Sequence, residues 1–332
     1  MKIENKFYAT NYNIASPYFK SDLPDNKEKI GMTMMIASDI HYQTGVCRDL
    51  FRQLVSYARI TQPDIIVIPG DVIETIDFID NDENKNFFEK MISDLAEVAP
   101  VVIVPGNHEI GVFDKKNYIS RLKNKDNKES NKENTKAINY FEKVIGKIKN
   151  VYFLNNVQET IKGVTFFGFN PRIGSYLKIN DLKAEDEFIE DYIKCGFKMN
   201  ESSYNVLLTH SNQQLLSKRV YDSMDGINLV DLSIHGHWHD AYLPKRLDKK
   251  YGDTNVGLFF TPLMFPYPGV ICRGIHDFGR GYMFVSQGYR KWTADNIITN
   301  AFEKITANDV ENLIISNGEK EVLDVSQSKP LM

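Results

Sequence analysis

Five short segments place histidine, carboxylate and amide side chains where an apolar run ends. They are Asp39-Ile40-His41, Gly70-Asp71, Gly106-Asn107-His108-Glu109, Thr209-His210 and Gly236-His237-Trp238-His239. The side chains on offer are imidazole, carboxylate and one amide oxygen, with no thiolate. That donor set suits divalent Zn, Fe or Mn and does not choose among them. Seven such residues (Asp39, His41, Asp71, Asn107, His210, His237, His239) are too many for one tetrahedral ion and match two ions sharing a carboxylate. Two ions about 3.5–4 Å apart generate a hydroxide near neutral pH and clamp a phosphoryl oxygen for in-line displacement. Asp39 and His41 stand at i and i+2, which puts them on one side of an extended chain, and His237 and His239 repeat that spacing around Trp238. Gly70, Gly106 and Gly236 each precede a proposed ligand, where a missing side chain lets the backbone turn tightly.

The surrounding pattern supplies the strands that must carry these groups. Residues 32–38, Ile65 to Ile68 and Val101 to Val104 are short continuous apolar runs, and each leads into one of the polar segments. Between them, Arg48 to Ile60 and the stretch with Phe87, Phe88, Met91, Ile92, Leu95 and Ala96 repeat apolar residues at helical spacing. Strand, helix, strand, helix, strand, with strands apolar on both faces, predicts a parallel sheet joined by right-handed crossovers. In such sheets ligands bind beyond the carboxyl ends of the strands. Further on, a helix is predicted over Ala137 to Ile148. Strands follow at Val151 to Leu154, Gln158 to Ile161 and Val164 to Phe169, then a helix at Ala184 to Phe197 and a strand at Asn205 to Leu208. A helix over Gln213 to Val220, a strand at Leu229 to Ile234 and a final hairpin with Tyr282 to Ser286 complete the prediction. The expected fold class is α/β, with two packed sheets and helices outside.

Composition narrows the function classes. The chain has 332 residues, three Cys, seven His and a formal net charge of -4. Cys47, Cys195 and Cys272 are too few and too scattered for a disulfide framework or a Cys-based zinc site. The weak acidity disfavours a protein built to hold nucleic acid by charge. No signal-like apolar stretch follows Met1 and no run approaches a transmembrane length, so the expected location is cytoplasmic.

Taken in order, the motifs DxH, GD, GNHE, TH and GHxH resemble those of the calcineurin-like metallophosphoesterase superfamily, over roughly residues 32–240. The resemblance implies a four-layer αββα sandwich of two mixed sheets, the metallo-dependent phosphatase fold, with two divalent metal ions as cofactors. It implies that Asp39, His41 and His239 hold the first ion, that Asn107, His210 and His237 hold the second, and that Asp71 bridges them. It gives His108 the role of general acid or phosphoryl stabiliser, while Glu109 orients its loop. The implied reaction is hydrolysis of a phosphate ester by in-line attack of a bridging hydroxide. The Asp-Arg-Gly that follows GD in protein phosphatases is replaced here by Val72-Ile73-Glu74-Thr75, which favours a phosphodiesterase. Leu243-Pro244, Arg273-Gly274 and Val285-Ser286-Gln287-Gly288 are similar to a bacterial branch acting on phosphodiesters, including the lipid precursor UDP-diacylglucosamine. That branch carries Gly-Gly-Gln after its last motif, where Asp240-Ala241-Tyr242 stands here, and often an N-terminal membrane helix, which this sequence does not show.

The expected substrate is therefore a phosphate-ester small molecule or nucleotide-like compound. Nucleic acid is a less favoured partner, peripheral membrane contact is compatible with the chain, and no protein partner is implied. A nucleotide or nucleotide-sugar pyrophosphatase and a nuclease use the same chemistry, and a non-catalytic scaffold is the alternative of a different class. The expected boundaries are an N-terminal arm over 1–30, with Tyr8 to Ile14 as an edge strand, a phosphoesterase domain over 31–290 and a C-terminal extension over 291–332. A polar insertion covers about 114–136, and its Lys/Asn-rich part, 121–136, reads as a surface loop or a basic flap. His235 and His276 read as hydrogen-bonded structural residues, Trp238 as packing, and Cys47 as a structural thiol. Gly274 to Gly281 reads as turns, with Arg273 and Arg280 as phosphate contacts, and Pro262 to Pro268 as a packed loop.

Overall fold

The computed structural model describes residues 6–19, 31–43, 47–110, 135–172, 174–177, 181–224, 229–238, 256–260, 266–271, 273–289 and 307–327. His239, most of the 114–136 insertion and Pro262 to Met264 lie outside them.

The apolar runs become strands because they can bury both faces. Strands β1 (Lys6–Ser16), β2 (Gly31–Ile36), β3 (Ile65–Ile68), β4 (Val101–Ile103) and β5 (Val151–Phe153) join two C-terminal strands, β14 (Ala307–Asn317) and β15 (Glu321–Gln327), in one sheet. Its order is β15-β1-β14-β2-β3-β4-β5, with β2 to β5 parallel. The second sheet holds β6 (Val157–Ile161), β7 (Val164–Gly168), β8 (Tyr204–Leu208), β9 (Leu232–His235), β12 (Gly274–Phe278) and β13 (Gly281–Val285). Its order is β12-β13-β9-β8-β7-β6, with β7, β8, β9 and β13 parallel. Strands β10 (Val256–Phe260) and β11 (Pro266–Ile271) pair with each other.

Alternation along each strand sorts the core into layers. Met32, Met34 and Ile36 of β2 meet Phe166, Val206, Leu208 and Ile234 of the second sheet between the two sheets. On the outer face of the first sheet, Met35, Ile66 and Ile103 pack on helices α1 (Cys47–Thr61) and α2 (Asp82–Val98) through Leu54, Phe88 and Leu95. On the outer face of the second, Phe167, Leu207 and Met283 pack on Phe188 and Val220. The result is the four-layer sandwich, and each fully buried Leu, Ile or Phe stabilises it by about 1.5–3 kcal/mol.

Local signals set the helix ends. In α2 the Asn81 side chain accepts the Asn84 N–H, and the helix stops before Pro100. Helix α3 (Asn107–Ile110) is one turn, and α4 (Thr135–Lys143) gives way to a 3-10 turn at Ile145–Lys147. Helix α5 (Gly174–Leu177) is also short, and α6 (Leu182–Cys195) is capped by Asp181 and ended by left-handed Gly196. The helix expected over Gln213 to Val220 is broken in two. Ser217 caps a new helix, α7 (Lys218–Ser223), and leaves a 3-10 turn at Gln214–Leu216 before it.

Other expectations change as well, and Pro266 to Pro268 of the expected packed loop belong to β11. The segment Tyr8 to Ile14 is not an edge strand, because β1 lies between β14 and β15. The stretch expected as a C-terminal extension supplies β14, which is inserted between β1 and β2, with Leu313 opposite both Tyr12 and Met34. Gly274 to Gly281 is mostly strand, and Arg280 binds Asp231 Oδ1 at 2.7 Å and lies 3.6 Å over the Tyr18 ring, so it is not a phosphate contact.

Candidate metal centre

The parallel strands of both sheets point their carboxyl ends the same way, so their exit loops meet. Asp39 and His41 follow β2, Asp71 follows β3, Asn107 follows β4, His210 follows β8 and His237 follows β9. Backbone bonds stitch the loops together. The Asp39 N–H donates to Gly70 O at 3.1 Å, that of His41 to Asp71 O at 2.9 Å, and that of Gly236 to His210 O at 2.8 Å.

Four of the expected ligands have left-handed backbones: Asp39 (φ 57), His41 (φ 47), Asp71 (φ 50) and His237 (φ 78). Asp39 and His41 therefore do not project from an extended chain, as their spacing suggested. They converge because the backbone turns at both. Such conformations cost about 1–3 kcal/mol each and gather at functional sites. The glycines permit this crowding. A Cβ on Gly106 would overlap the Asp71 carboxylate, and one on Gly236 would overlap Ser38 Oγ.

Among the described residues, two groups of donors share Asp71. Asp39, His41 and Asp71 make one, and Asp71, His210 and His237 the other, with donor atoms inside each group within 4.8 Å of one another. His210 Nε2 is 3.1 Å from Asp71 Oδ2, and His41 Nε2 is 3.7 Å from the same oxygen. Asn107 Oδ1 lies 3.0 Å from His210 Nε2 and 2.8 Å from His237 Nδ1, so the amide joins the second group. His210 Nδ1 donates to Pro69 O at 2.6 Å, which leaves Nε2 as its electron-pair donor.

His108 belongs to neither group. Its Nδ1 lies 2.8 Å from Glu74 O and its Nε2 3.9 Å from Asp71 Oδ2, within ion-pair range but too long for a hydrogen bond. The Glu109 carboxylate is fully buried and accepts the N–H groups of Asp71 (3.0 Å), Ile73 (3.0 Å) and Gly106 (2.6 Å). It holds the loops after β3 and β4 together and has no free oxygen for a ligand.

The charges agree with a cation site. Burial alone would raise the Asp71 carboxyl, but His210, His108 and His41 hold it well below the usual carboxylate range. Burial opposes protonation of His210, yet Asp71, helped by Asp39 and the Pro69 carbonyl, carries its pKa up to about 9. Burial, and next Asp71, push Glu109 up to about 7 against its backbone donors. A site that draws protons onto its imidazoles also draws metal ions, which compete for the same nitrogens. The donors are oxygen and nitrogen, buried, close and shared through one carboxylate, and so they fit two divalent ions.

Sequence reasoning missed Glu74. Its Oε2 lies 2.9 Å from His41 Nδ1, a close charge contact rather than an aligned hydrogen bond, and it joins His41 and His108 in a third donor group. Its place three residues after Asp71 was the available signal. The readings of His235, Trp238 and His276 hold. His235 is fully buried between Thr209 O (3.0 Å) and Ser233 Oγ (2.9 Å), and burial pulls its pKa down to about 3. Trp238 packs in the outer core and donates Nε1–H to Asn212 Oδ1 at 2.7 Å. His276 Nε2 contacts Arg273 O at 2.9 Å.

Comparison with known proteins places this geometry. Residues 32–241 match the sequence profile of the family described as calcineurin-like phosphoesterase, and the chain belongs to that family. It is thereby a hydrolase of phosphate esters, and its members' two divalent metals correspond to the donor groups above. Among solved structures, a dimetal phosphatase from Danio rerio is similar at 12% identity, with 78% of this chain and 88% of that chain covered and a TM-score of 0.38. A second solved structure is similar at 11% identity, with 78% and 93% covered and a TM-score of 0.37. No curated protein matches the chain. No described helix is long and apolar enough to cross a membrane.

Proposed function

We propose that this chain is a phosphodiesterase with a two-metal centre, acting on a small nucleotide-like phosphate ester in the cytoplasm. The observation that carries the reading is the membership of Asp71 in both donor groups, which is what a carboxylate shared by two ions requires. Asp39 and His41, with His239, would hold one ion, and Asn107, His210 and His237 the other. When bound, the two ions would supply the nucleophile and neutralise charge on the phosphoryl oxygens.

The chain's own groups do the rest. Pro69 O fixes the tautomer of His210. Glu109 fixes the loop that carries Asp71, Asn107 and His108. His108 keeps Nδ1 on Glu74 O and turns Nε2 toward the centre. From there it would give a proton to the departing ester oxygen as the P–O bond breaks, or hold a phosphoryl oxygen. The replacement of Asp-Arg-Gly by Val72-Ile73-Glu74-Thr75 supports a diester over a phosphoprotein substrate.

The test is hydrolysis by protein loaded with Mn²⁺ of bis-(p-nitrophenyl) phosphate against p-nitrophenyl phosphate. The diester should be preferred, and Asn107→Ala should abolish turnover. Preference for the monoester would overturn the diesterase reading. A panel of nucleoside diphosphate sugars and dinucleotides separates a pyrophosphatase from a simple diesterase.

A further inference from the structure

Tyr176 sits where the phosphoesterase reading assigns it no task. The short helix α5 follows the loop leaving β7 and is anchored from below. Ser175 N–H donates to Arg172 O at 2.9 Å, and Gln214 Nε2 donates to Ser175 O at 3.0 Å. Arg172 is itself held by the Asp191 carboxylate at 2.9 Å and the Glu187 carbonyl at 3.1 Å. This frame presses the Tyr176 ring between Ile110 and Ile138 on one side and two imidazoles on the other. The ring centroid is 6.0 Å from that of His210 and 5.8 Å from that of His237.

The phenol is only 6% exposed, and its hydroxyl has no hydrogen-bond partner among the described residues. A buried hydroxyl left unpaired is destabilising, and phenylalanine would fill the same space without that cost. The hydroxyl therefore has a use that packing does not explain.

We propose that the Tyr176 hydroxyl is a catalytic contact, donating a hydrogen bond to a phosphoryl oxygen of the substrate on the side of the site walled by His210 and His237. An anionic oxygen is the complement of an unpaired donor, and such charge-assisted bonds are about twice as strong as neutral ones. The inference rests on the phosphoesterase reading. It requires no covalent step, because the phenol acts only by donating a hydrogen bond.

The experiment compares wild type with Tyr176→Phe, each loaded with Mn²⁺, using inorganic phosphate as the probe in calorimetry. Phosphate should bind roughly tenfold more weakly to the variant, and kcat/KM for the diester should fall by about ten- to hundredfold. Metal content should be unchanged, and the melting temperature should stay level or rise. Equal phosphate affinity in the two proteins would overturn the role of Tyr176 and leave the phosphoesterase reading intact. Failure of wild type itself to bind phosphate would overturn both. A loss of bound metal in the variant would assign Tyr176 to shaping the imidazoles and would also contradict the proposal.

Discussion

The backbone N–H of His237 donates to both carboxylate oxygens of Asp39, at 3.1 and 3.0 Å, across 198 residues of sequence. One carboxylate thus fastens the exit of β9 in the second sheet to the exit of β2 in the first. Gly236 makes this approach possible, because Ser38 occupies the place of its missing side chain. Gly236→Ala should therefore separate the two loops. Circular dichroism should show a folded protein, and metal analysis should show less than the wild-type content.

Glu109 offers a second check. Both of its oxygens accept backbone N–H groups, so an amide in its place must turn an NH₂ toward a donor. Glu109→Gln should cost about 1–3 kcal/mol of stability. Chemical denaturation should show the loss, together with reduced activity from the displaced Asp71 loop.

Glu74 lies against His41 on the face of the ring away from Asp71. Partners in that place orient a ligand, and their removal costs about 10- to 100-fold in metal affinity. Glu74→Ala should show that weakening in a Mn²⁺ titration while the fold persists.

Truncation tests the sheet order. Deleting residues 291–332 removes β14 and β15, which leaves β1 with no partner strand and β2 paired to β3 alone. The shortened chain should be insoluble or unfolded by circular dichroism and gel filtration. A folded 1–290 fragment would contradict this topology.

Cys195 supplies the pH dependence. Burial, and next the Asp191 charge, raise its pKa from 9.0 to about 11, and its thiol donates to Asp191 O at 3.2 Å. A raised pKa means less thiolate at a given pH. Alkylation of Cys195 at pH 8 should be roughly a hundredfold slower than that of an ordinary thiol, rising about tenfold per pH unit toward 11. Peptide mapping of the alkylated protein reads this rate residue by residue.

The sequence made the first three strands and their helices legible because Ile65 to Ile68 and Val101 to Val104 are apolar on both faces and short. The site was legible for a related reason, since each donor stands where such a run stops. The left-handed turns at Asp39 and His41 were not legible. Spacing of i and i+2 means one side only if the chain is extended, and local sequence does not reveal that Gly70 O and Asp71 O bend it. The place of β14 was equally hidden. Its only apolar run is Leu313 to Ile315, too short to mark a strand by itself, and only pairing over nearly the whole chain length puts Leu313 beside Tyr12 and Met34. Glu74 and Tyr176 escaped because a carboxylate or phenol outside a motif has no local mark, and proximity alone gives each its meaning.

The central claim is that Asp71 unites two metal ions that act together on a phosphodiester. Its most direct test is stepwise addition of Mn²⁺ to metal-free protein, with bound metal and hydrolysis of bis-(p-nitrophenyl) phosphate followed in the same samples. The account predicts two ions per chain and activity that appears with the second equivalent, with Asp71→Asn failing to reach either. Full activity at one ion per chain, or wild-type behaviour of Asp71→Asn, would contradict it.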